Sequence, residues 1–153
     1  MPLQTLEEEI QAIGVFLKLL LPDPSLAPTL EAELTEACAA NFNVSPWPAM
    51  WELLQDHGYA WPMPWHTEPD DVVYGLRVLW ESYGLLPLPT PDPPATDAEQ
   101  VVRHFAALAQ AHHHTLGKLY EDSDYAVLVF VRTDALVAAQ HAARAADGQL
   151  DTF

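Results

Sequence analysis

Thr115–Arg132, TLGKLYEDSDYAVLVFVR, decides how this chain folds. Its second half, Tyr125–Val131 (YAVLVFV), is an unbroken run of β-branched, aromatic and aliphatic side chains. A run that short suits a strand, and one without polar alternation suits a strand covered on both faces. Upstream, Thr115–Tyr120 is a weaker strand, with Leu116, Lys118 and Tyr120 on one face and Gly117 and Leu119 on the other. Between them, Glu121-Asp122-Ser123-Asp124 carries side chains that hydrogen-bond local backbone and stabilise turns. The spacing predicts a β-hairpin over 115–131. A lone hairpin is marginal in water, so the rest of the chain must supply a further strand and packed helices.

Tyr59–His66, YAWPMPWH, is the candidate third strand. Tyr59, Trp61, Met63 and Trp65 alternate along one face of an extended chain. Pro62 and Pro64 lack N–H donors toward one common side, which makes the segment a sheet edge. Its aromatic stripe reads either as core packing or as a partly exposed docking face.

The remaining segments read as helices. Thr5-Leu-Glu-Glu8 forms a capping box before Ile10, Ile13, Phe16, Leu17, Leu20 and Leu21, giving a helix near 5–21 that Pro22 ends. A second spans about 28–40 around Leu30, Leu34, Ala37 and Cys38. Ser45-Pro46 starts a third, 46–57, with Trp47, Met50, Leu53 and Leu54 inward and Gly58 as its exit. Thr67 caps a fourth that carries Val72, Val73, Leu76, Leu79, Trp80 and Tyr83 and stops at Gly84. Leu85–Ala95, with five prolines, is an extended crossing. Thr96-Asp-Ala-Glu99 is a second capping box for a helix to about Ala111, and Thr133 caps a last helix through Ala146. The expected fold is α+β: about six helices around a small antiparallel sheet built from the hairpin 115–131 and the edge strand 59–66. One domain over residues 1–148 is expected, with 149–153 as a frayed tail.

Composition narrows the function classes. Six Lys+Arg against 22 Asp+Glu give a formal charge of −16. Such a chain lacks the cations that neutralise phosphates, which argues against nucleic acid and anionic membrane surfaces and favours a basic protein partner. No apolar run reaches the ~20 residues of a membrane span. The single Cys38 and the acidic residues after Leu6 make the cytoplasm the expected location.

No G-x-S-x-G, P-loop, glycine-rich dinucleotide turn or C-x-x-C is present, and no cofactor is implied. His112-His113-His114 cannot converge on one ion from consecutive positions without ligands from elsewhere. His66, Asp70 and Asp71 lie at a strand-to-helix junction, and could meet Glu121, Asp122 and Asp124 if the hairpin turn were adjacent; helix capping and turn formation are the plain alternative. The candidate interaction surface is Trp61, Trp65, His66, Asp70, Asp71, Tyr120, Glu121, Asp122 and Asp124.

Met63–Trp80 (MPWHTEPDDVVYGLRVLW) and Leu119–Val131 (LYEDSDYAVLVFV) together resemble an uncharacterised bacterial family of small domains of unknown function. In that pattern an aromatic-plus-basic pair precedes the acidic helix start, a place held here by Trp65-His66. The resemblance implies no activity. In composition the chain is also similar to immunity proteins of toxin systems. The expectation is a non-catalytic acidic interaction domain, monomeric or dimerising through Trp61 and Trp65. The alternative is a metal-assisted hydrolase using His66, Asp70 and Asp71.

Overall fold

The computed structural model describes residues 4–41, 43–85 and 97–153. Six α-helices and four strands follow one another along them. These are α1 (Leu6–Leu20), α2 (Ala27–Ala40), α3 (Pro46–Asp56), β1 (Trp61–Pro64), α4 (Pro69–Ser82), α5 (Ala98–Ala111), β2 (His114–Glu121), β3 (Tyr125–Arg132), α6 (Leu136–Ala145) and β4 (Asp151–Thr152). The sheet is antiparallel, in the order β1-β3-β2-β4.

The β2–β3 hairpin is the centre, as its sequence predicts. Residues 126–131 are fully buried and their side chains alternate between two cores. Val127, Val129 and Val131 join α1, α2, α3 and α6 on one face, whereas Ala126, Leu128 and Phe130 join α4 and α5 on the other. Helices from both ends of the chain therefore cover the first face.

β1 is the expected edge strand, paired with β3 from Trp61↔Leu128 to Pro64↔Tyr125. Proline cannot donate, so Trp61 and Met63 carry the donors of this ladder and the prolines turn to the open side. The stripe of Tyr59, Trp61, Met63 and Trp65 faces the α4–α5 core: Met63 is buried and the three aromatics are half-buried against it. A Cβ on Gly75 would collide with the Trp61 ring, so this glycine lets α4 lie close over the strand.

Several local expectations change. Thr67 does not cap α4; the N-cap is Glu68, held extended at ψ 144°. Proline at 69 disfavours helical geometry in the residue before it, which sets the boundary there. Thr96 and most of the proline-rich crossing (86–96) lie outside the described residues. Asp97 is the N-cap of α5 and accepts the Gln100 N–H at 2.9 Å. Thr133 opens a 3₁₀ turn, Thr133–Ala135, ahead of α6, and its hydroxyl bonds Thr115 Oγ1 at 2.9 Å.

Two corrections matter more. Residues 149–153 are not a frayed tail. Leu150 is buried, its carbonyl accepts from Gln140 Nε2 at 3.2 Å, and Asp151–Thr152 pair with Lys118 and Gly117. A hydrophobic anchor holds down what composition alone leaves loose. Second, β2 carries a β-bulge at Leu119: Lys118 pairs with Leu128, and Tyr120 with Val127. The extra residue breaks the two-residue period. Tyr120 therefore does not share a face with Leu116; it packs on the α1–α3–α6 side, Leu116 on the other.

Leu150→Ala should destabilise the fold by about 2–5 kcal/mol, the usual range for deleting a buried leucine side chain. Thermal unfolding of this variant, beside a truncation after Gly148, measures it; a frayed tail would leave both melting points unchanged.

Candidate functional site

The acidic segments singled out in the sequence meet at one end of the sheet. The Trp65 N–H donates to the Asp124 carbonyl at 3.1 Å, so the end of β1 lies against the β2–β3 turn. Around this junction His66, Glu68, Asp70 and Asp71 are exposed on the side of α4, and Glu121 and Asp124 on the side of the turn. Asp70 and Asp71 occupy the first turn of α4, where the positive end of the helix dipole favours carboxylates.

Asp122 is committed to the turn. Its Oδ1 accepts the N–H groups of Asp124 and Tyr125 at 2.8 and 2.9 Å, and its Oδ2 accepts the Tyr120 hydroxyl at 2.7 Å. The Tyr125 N–H, then the Tyr120 hydroxyl and the Asp124 N–H, hold this carboxyl below its ordinary value, and the same hydroxyl bond raises the Tyr120 phenol.

The nine residues of the expected surface do not form one patch. Trp61 and Trp65 pack toward the α4–α5 core, whereas Tyr120 lies across the sheet. Among the described residues no three His, Cys, Asp or Glu side chains converge closely enough to hold a metal ion. His66, Asp70 and Asp71 thus do not assemble with the turn acids into the centre that a metal-assisted hydrolase needs. The histidine triplet diverges too. His112 stacks edge-on against Trp80 at 5.2 Å, His113 takes a left-handed turn at φ 59°, and the His114 ring bonds the His112 carbonyl.

The bulge builds something the sequence does not announce. Leu119 is the extra residue of β2, and its carbonyl accepts the Trp47 indole N–H at 3.3 Å. One helical turn on, Trp51 packs on Tyr120 with ring centroids 4.8 Å apart, and Tyr120 in turn on Tyr125 at 5.3 Å. The end of α6 closes the other side, and a Cβ on Gly148 would collide with the Trp47 ring. A cleft of about 490 Å³ results, lined by Trp47, Trp51, Tyr120, Glu121, Arg144, Asp147 and Gln149, among others. That size falls in the range of ligand sites.

Asp147 is the anomaly of this cleft. It is the left-handed residue that ends α6, at φ 58°, with Gly148 N–H bonding the Ala143 carbonyl at 2.8 Å. Glycine is the usual residue there, and a non-glycine side chain costs on the order of 1 kcal/mol. A carboxylate is also unfavourable at the negative end of a helix dipole. It further repels Glu9, whose carboxyl is raised first by burial and then by Asp147. Among the described residues Asp147 has no ion-pair partner. Glu121, by contrast, is paired with Lys118 at 2.9 Å. The Trp51 indole N–H is buried without an acceptor.

Sequence reasoning placed Trp47 in the core but missed Trp51, Arg144 and Asp147. The available signal was an aspartate before Gly148, at a helix end where glycine serves better.

The fold defines a class: an α+β domain with a four-stranded antiparallel sheet between two helical layers and a cleft beside the β2 bulge. Residues 4–153 match the family described as domain of unknown function DUF6630, and the chain belongs to that family. No curated protein and no solved structure matches it.

Trp47→Phe keeps an aromatic ring but loses the indole N–H and part of the core volume, orphans the Leu119 carbonyl, and should cost about 1–3 kcal/mol or more in a denaturant titration. For Asp122 the folded-state pKa lies below the unfolded one, so its stabilisation is present above pH 3.8 and is lost as pH falls through the lowered value. Asp122→Asn should therefore melt below the parent protein near pH 6, the gap narrowing below pH 3.8. A gap independent of pH would contradict this role.

Proposed function

We propose that this domain is a non-catalytic protein-interaction module whose acidic end docks a basic segment of a partner. The Trp65–Asp124 hydrogen bond carries the reading, because it sets the acidic start of α4 beside the acids of the hairpin turn. The balance of 22 Asp+Glu to six Lys+Arg supports it. Three of those cations, Arg103, Lys118 and Arg132, are paired with acids of the same chain. A field of this sign accelerates encounter with a basic surface and disfavours acidic ones. We read the module as one domain, because both cores share one sheet, and as cytoplasmic. An inhibitor of a basic toxin in a bacterial immunity system is one form of it. A homodimer seam through Trp61 and Trp65 has less support, since both rings are half-buried against α4 and α5. No helix among the described residues is long and apolar enough to cross a membrane.

The test is affinity capture from the native cell extract, followed by binding kinetics with the purified partner. Joint replacement Glu68→Gln, Asp70→Asn, Asp71→Asn and Asp124→Asn should slow association by about tenfold or more at low salt and change dissociation less. Circular dichroism controls for the roughly 0.3–1 kcal/mol lost with each first-turn acid of α4. Association that ignores both salt and these substitutions would overturn the proposal.

A further inference from the structure

We propose that the cleft between α3, the bulge of β2 and the end of α6 is an anchor pocket for a cationic side chain, the guanidinium or ammonium of an arginine or lysine on the docked partner. The proposal rests on the docking reading above and names the chemistry that the partner inserts. Three observations carry it.

Asp147 is poorly matched to its place: it takes the left-handed turn that aspartate adopts less readily than glycine, and it is an exposed anion at a helix C-terminus that also repels Glu9. A cation from outside the chain relieves the two electrostatic terms at once. Trp51 and Tyr120 wall the cleft, and the Tyr120 ring is pinned by its packing on Trp51 and Tyr125 and by its hydroxyl bond to Asp122. Arginine and lysine pack their alkyl stems along such apolar walls while the charged head meets a polar group at the rim. Glu121 belongs both to the cleft and to the hairpin's acidic end, so the pocket is continuous with the docking surface. Arg144 also lines the cleft. It suits the helix end on which it sits, and it opposes an incoming cation.

The probe is N-acetyl-arginine amide, with N-acetyl-glutamine amide as the neutral control, titrated into the full chain. The readout is the indole N–H resonances of Trp47 and Trp51. The arginine compound should shift the Trp51 resonance saturably, in the millimolar range of a single side chain, and the glutamine compound should not. Asp147→Asn should weaken binding on the order of tenfold, the worth of one charge-assisted contact. The same variant should melt higher than the parent protein, because the misfit charge is gone. Arg144→Gln should tighten binding.

No saturable shift, equal binding by Asp147→Asn, or loss of binding in Arg144→Gln would each overturn the proposal; the last would mark an anion site. The two readings fail separately. If the four acidic-end substitutions abolish partner binding and Asp147→Asn leaves it unchanged, docking stands and the pocket falls. If the probe binds through Asp147 but association with the partner ignores the acidic end, the pocket stands and docking falls.

Discussion

Burial of β3 on both faces is the constraint on which everything else depends. Ala126–Val131 is inaccessible to solvent, and each large side chain buried there contributes about 1.5–3 kcal/mol relative to exposure. A strand apolar on both sides cannot rest on a single layer of helices. The chain answers with two layers: α1, α2, α3 and α6 over the valines, α4 and α5 over Leu128 and Phe130. Because α6 follows the hairpin and α1–α3 precede it, the first layer closes only when both ends of the sequence are in place. The edges are dealt with separately, by prolines on β1 and by the short β4 on β2.

The bulge at Leu119 shapes the cleft. One residue too many in β2 moves Tyr120 onto the face of α3, where Trp51 receives its ring, and frees a carbonyl that the Trp47 indole satisfies. Without the bulge, Tyr120 would lie on the side of Leu116 and the cleft would lose a wall. The cleft is thus a product of strand register, and two tryptophans one helical turn apart are spent on it.

Electrostatics distinguishes Asp147 from the acids of the hairpin turn and of the start of α4. Asp70 and Asp71 suit the start of α4, Asp122 holds the turn through three donors, and Glu121 is paired with Lys118. Asp147 has none of these compensations. Like Asp56 and Glu81 at the ends of α3 and α4, it is a carboxylate at a helix C-terminus, hydrated at the surface.

The sequence by itself determined the hairpin, the edge placement of the Pro62–Pro64 strand and the helices, because each rests on local periodicity or on proline and glycine chemistry. It also determined the charge, 22 Asp+Glu against six Lys+Arg. Only the tertiary structure decided that Trp61 and Trp65 lie across the sheet from Tyr120, since the bulge leaves no mark in a one-dimensional pattern. It likewise decided that Leu150 anchors the C-terminal segment, and that Trp47, Trp51 and Asp147 share a cleft. Those contacts join residues about 30 to 100 positions apart, and separations of that size are settled by packing between elements, not by any preference within one.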